Sequence, residues 1–168
     1  MSVDYSEKIQ ELISHYDIEV VQQGLVLIES LVVSEMDLRT YIPYPQDCMD
    51  VEILHDFLEG RYWKHHKHIK VWMLETLARF QVQWVLEITH LDISDCGLVA
   101  IPDFITDLKS LTQLNISKNP LEKVPEESIY RKNLTWLSVF GIDLSHLTLP
   151  DRLGHILYDK NTKWPEDF

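Results

Sequence analysis

Cysteine is scarce in this chain: among 168 residues only Cys48 and Cys96 carry a thiol. Two thiols cannot staple a small disulfide scaffold, and a reducing cytoplasm is the expected setting. Glycine is scarce too, with five residues, and none forms the clustered loop that cradles a nucleotide phosphate. No nucleophile elbow and no paired-cysteine motif appears, so neither a cofactor nor catalysis is expected. Long apolar runs are missing. The longest, near Gly24 to Val33, is interrupted by Glu29 and Ser30 and is too short and polar to cross a bilayer. The opening MSVDYSEKIQ has neither the basic start nor the apolar core of a secretion signal. Basic residues are few: 15 Lys and Arg face 27 Asp and Glu, a net charge of −12. That balance disfavours nucleic acid and anionic membrane as partners.

What the chain does have is a repeat. Leu91, Leu114 and Leu137 recur at a fixed spacing, each inside the same phrase: Ile88-x-x-Leu91-x-Ile93, Leu111-x-x-Leu114-x-Ile116 and Leu134-x-x-Leu137-x-Val139. Five positions after each central leucine stand Cys96, Asn119 and Ile142, followed by Leu98, Leu121 and Leu144. Apolar alternation across so short a segment predicts a strand with Leu114 and Ile116 facing inward. Asn119 is expected to turn the corner, its amide satisfying backbone groups that the bend leaves unpaired. One such unit cannot bury its own apolar face, so neighbouring units must stack.

The phrase LTQLNISKNPL resembles the pattern L-x-x-L-x-L-x-x-[NC]-x-L of leucine-rich-repeat proteins. Ile101-Pro102 and Val124-Pro125 resemble the Leu-Pro phrase in the convex arc of intracellular repeats of 23 residues. Ile105, Leu108 and Leu111 supply packing in the first arc, whereas Glu127, Ser128 and Arg131 make the second poorer. The third copy, with Ile142 at the Asn position and Phe140-Gly141 breaking the polar pattern, suits a terminal unit. The resemblance implies an α/β fold: a short right-handed solenoid of about three to four coils with parallel strands, capped by an N-terminal helical domain. The expected division is a helical cap over 1–84, repeats over 85–150 and a C-terminal capping tail over 151–168. In that tail Leu153, Ile156, Leu157, Tyr158, Trp164 and Phe168 are available to close the far end.

The first half reads as helical. Ile9, Leu12 and Ile13 share helical spacing. Asp17 is placed to cap a second helix, with Glu19 in its first turn. Val21, Leu25 and Ile28 line one face of that helix, broadened by Val20, Leu27 and Leu31. Pro43 and Pro45 mark a loop. Val51, Leu54, Phe57 and Leu58 indicate a third helix ending near Gly60. Ile69, Trp72, Met73, Thr76, Leu77 and Phe80 mark a fourth, with Trp84 at the entry to the first repeat.

Two surfaces are candidates for function. His65, His66 and His68 sit near one helical turn but lack a completing carboxylate or thiol, and Lys64, Lys67 and Lys70 repel a cation, so a solvated basic face is expected there rather than a metal site. Residues 1–59 hold 13 acids against Lys8 and Arg39, densest around Asp47, Asp50, Glu52, Asp56 and Glu59. Such a face either confers solubility or steers a basic partner protein. The strand residues flanking the inward leucines form three outward ladders: His90-Gln113-Trp136, Asp92-Asn115-Ser138 and Ser94-Ser117-Phe140. The resemblance implies partner binding on that face. Trp136 and Phe140 are then either binding anchors or core covered by the tail. The expected function is a non-catalytic protein-interaction module. A sharper version is an immunity-type inhibitor of a basic toxin. An enzyme with a site between the halves is the remaining alternative.

Overall fold

The computed structural model describes residues 5–13, 15, 17–32, 38, 40–41, 67–122, 124–125, 129, 133–146 and 155–166. The expected third helix, the Pro43 and Pro45 loop, Cys48, His65, His66, Asp47, Asp50, Glu52, Asp56, Glu59, Glu127, Ser128, Arg131, Leu153 and Phe168 lie outside the described residues, as does the side chain of His68. The chain divides into two compact units, residues 1–70 and 71–168.

In the first unit, α1 (Ser6–Ile13) and α2 (Ile18–Leu31) pack together. Asp17 caps α2 as its sequence position suggests: extended backbone brings its carboxylate 2.9 Å from the Glu19 amide, which donates to it. The helix stops at Val32, where the backbone turns extended while its N–H still reaches the Ile28 carbonyl at 2.8 Å. Ile9 and Ile13 of α1, with Val21, Leu25 and Ile28 of α2, are buried. Gly24 permits the close approach. A methyl group there would lie 2.9 Å from both Ile13 Cγ2 and Leu12 Cβ.

Helix α3 (Lys67–Arg79) spans the division between the units. It buries Ile69, Val71, Met73, Leu74, Thr76, Leu77 and Ala78, a wider face than the single stripe expected. The Thr76 hydroxyl donates to the Trp72 carbonyl one turn back at 2.9 Å, which lets a polar side chain lie buried. Left-handed backbone at Gln81 (φ 58°) breaks the helix. The short α4 (Gln83–Leu86) then buries Trp84 and Val85 just ahead of the first strand.

Four parallel strands follow in sequential order: β1 (His90–Asp92), β2 (Gln113–Asn115), β3 (Trp136–Ser138) and β4 (His155–Leu157). Leu91, Leu114, Leu137 and Ile156 pair in register across the sheet. The three leucines of the repeated phrase therefore align, and the mixed α/β class holds. The third copy is not the last strand, however, because the tail contributes β4. Beneath the sheet Ile93, Ile105, Leu108, Leu111, Ile116 and Val139 are fully buried. Burying each such side chain contributes roughly 1.5–3 kcal/mol. A 3-10 turn at Asp103–Asp107 adds Phe104 to that core, a residue the spacing argument did not single out.

The first three strands leave the sheet through the same bend. Four residues beyond the central apolar position the backbone is left-handed: Asp95 (φ 54°), Lys118 (φ 59°) and Gly141 (φ 75°). Only the last is the residue type to which that conformation comes without strain. Asn119 then anchors the bend as expected. Its Oδ1 accepts from the Cys96 and Leu98 amides at 2.9 and 3.1 Å, and its Nδ2 donates to the Ile93 and Ile116 carbonyls, both at 2.8 Å. One buried side chain thus ties its own repeat to the preceding one.

Candidate functional site

Strand register decides which side chains share the open face. His90, Gln113, Trp136 and His155 form one row, and Asp92, Asn115, Ser138 and Leu157 the next. The structure therefore brings together the residues of the first two expected ladders and extends each by one strand. Ser94, Ser117 and Phe140 follow at the strand ends, where the Asp95 amide donates to the Ser117 carbonyl and the Lys118 amide to that of Phe140. Asp50, Glu52 and Asp56, the expected acidic contribution, lie outside the described residues.

The rows differ in how their polar groups are used. Asp92 Oδ1 accepts the Ser94 amide at 2.8 Å, and Asn115 Oδ1 accepts the Ser117 amide at 3.1 Å, so both side chains brace the bend that follows them. Asn115 Nδ2 also donates to Asp92 Oδ2 at 2.9 Å. Ser138 is 2% exposed, and its hydroxyl shares a 2.8 Å hydrogen bond with Ser117. The Ser117 hydroxyl in turn accepts from the Phe140 amide at 3.0 Å. This second row works as a structural seam.

The first row has a different character. His90 is exposed, its Nδ1 2.8 Å from the Thr89 hydroxyl. Gln113 and Trp136 are half-buried, and His155 is exposed. Phe140 is also half-buried, so neither aromatic residue is wholly covered. Towards β4 the face becomes more apolar, with Leu157 and Tyr158 exposed and the Tyr158 ring meeting Trp164 edge-on at 4.9 Å.

Several residues were not singled out from the sequence. Thr89, Thr112 and Thr135 form a ladder in which the Thr112 and Thr135 hydroxyls reach the preceding threonine carbonyl at 3.0 and 3.3 Å. Their spacing matches that of the leucines and could have revealed them. At the far end, Thr162 performs part of the task of Asn119, donating to the Val139 carbonyl of the preceding repeat at 3.0 Å. Asp159 Oδ1 accepts the Gly141 amide at 3.0 Å, where the earlier repeats use a main-chain carbonyl.

Electrostatics at this end reinforce the closure. Partial burial raises the pKa of Asp159. The amides of Gly141 and Asn161 and the side chains of Thr162 and Asn161 outweigh it, leaving the carboxyl below its ordinary value. Asp143 is held well below the carboxylate range, first by the hydrogen bond from Lys163 at 2.7 Å and then by Ser145. Among the described residues, no group of three or more His, Cys, Asp or Glu side chains is placed to hold a metal ion, and no helix is long and apolar enough to cross a membrane. What the sheet face offers is contact chemistry: an indole, a phenyl ring, imidazoles, amides and hydroxyls on a rigid platform. Comparisons with protein-family profiles, curated proteins and solved structures found no match to this chain.

Proposed function

We propose that the chain is a non-catalytic protein-interaction module, built as a short right-handed leucine-rich-repeat solenoid with an N-terminal helical cap. The observation carrying this reading is the agreement between sequence period and strand register at Leu91, Leu114 and Leu137. It is joined by the Asn119 anchor between repeats. Parallel crossovers are right-handed in nearly all proteins, which supplies the hand. Trp136 is the central anchor of the binding face, because half-buried aromatics held by a rigid sheet contribute large contact area at small entropic cost. Gln113, His90, Phe140 and His155 surround it or continue its row.

The partner in this reading is a protein with a basic surface, met in the cytoplasm. The net charge of −12 favours such a partner and steers it over about a Debye length, near 8 Å in physiological salt. The same charge favours one sharper version, an inhibitor that neutralises a basic toxin. Asp50, Glu52 and Asp56 belong to the steering surface, and Asp92 and Asn115 support the anchor from the adjoining row.

Parallel affinity capture from the native cell with the wild-type chain and with Trp136→Ala tests the reading. A basic protein retained by the first and lost by the second is expected. With that partner in hand, Trp136→Ala should speed dissociation roughly tenfold or more, as a hot spot costing about 2 kcal/mol would. Charge reversal at Asp50, Glu52 and Asp56 should instead slow association and flatten its salt dependence. Identical capture by both chains, with association independent of salt, would overturn the proposal.

A further inference from the structure

We draw no further inference here: the strongest candidate, the surface patch at the β4 end of the sheet where Leu157 and Tyr158 lie exposed and the Tyr158 ring meets Trp164 edge-on, carries none because nothing in the structure shows what covers it.

Discussion

Removing the Asn119 amide measures how strongly consecutive repeats are bound to each other. Asn has two donors and two acceptor lone pairs, and here all four are engaged within 3.1 Å, three of the four partners lying in the preceding repeat. A typical intramolecular hydrogen bond contributes about 1 kcal/mol net, and a buried group left without its partner costs about 1–3 kcal/mol. Leu98 is only half-buried, so water can reach its amide, whereas Ile93 and Ile116 are fully buried and their carbonyls stay dry. Asn119→Ala should therefore destabilise the second unit by about 3–5 kcal/mol, summed from those per-group costs. The loss is read from the urea midpoint followed by tryptophan fluorescence. Asn119→Asp sharpens the test. It keeps the acceptor for Cys96 and Leu98 but turns a carboxylate towards two carbonyls. Burial and the carbonyl dipoles raise the folded pKa of such an Asp above its unfolded value. The variant is then least unstable at acidic pH, where the protonated carboxyl can donate, and worsens as pH rises through the folded pKa. A loss below about 1 kcal/mol for Asn119→Ala, the worth of a single bond, would refute the anchoring argument. So would a pH trend of opposite sign for Asn119→Asp.

Gly24→Ala should destabilise the first unit by about 1–3 kcal/mol despite the better helix propensity of Ala, because the added methyl overpacks against Ile13 and Leu12; thermal unfolding of the variant checks this. Gly141→Ala meets no atom within 4 Å, yet should cost about 1 kcal/mol through its left-handed backbone alone, seen as a shifted denaturation midpoint without structural change. Asp159 has a depressed folded pKa, so its stabilising contribution is present above the unfolded pKa of about 3.9 and is lost as pH falls through the folded value. Asp159→Asn should thus reduce the acid dependence of unfolding below about pH 4, measured by urea titration across that range.

How far the sequence could be read depended on whether a residue's task was set locally. Leu91, Leu114 and Leu137 are core because each sits at the centre of a short alternating phrase, and equal spacing places equivalent phrases side by side. Asn119 was readable for the same reason, since a bend with unpaired backbone groups calls for an amide. The Asp17 cap needed only its own first helical turn. The fourth strand escaped because Ile156 follows Leu137 by 19 residues rather than 23, and because its anchor shifts by one place. Asn161 occupies the position equivalent to Asn119, but its side chain reaches Asp159 while Thr162 makes the bond to the preceding repeat. Ser138 shows the limit of alternation: strand period gives the face a side chain points to, not whether that face is covered. Its hydroxyl is buried against Ser117.

That distinction separates support from recognition on the sheet. The seam of Asp92, Asn115, Ser117 and Ser138 must hold hydrogen bonds wherever the chain bends, and its polar groups are already committed to one another and to the main chain. A partner competing for those groups would have to break bonds that brace the strands. The adjoining row has no comparable duty, because its side chains leave the first residue of each strand, away from the bend that follows it. It can therefore carry a large ring, as it does at Trp136, without disturbing the ladder beneath. The same logic explains why apolar exposure grows towards β4. An inner strand has neighbours on both sides to fix its register, whereas the last strand has one, and Leu157 and Tyr158 extend apolar surface beyond it. In the proposed module, β1 and β2 chiefly hold the platform in shape, while recognition concentrates on β3 and β4, where the exposed aromatic and apolar surface gathers.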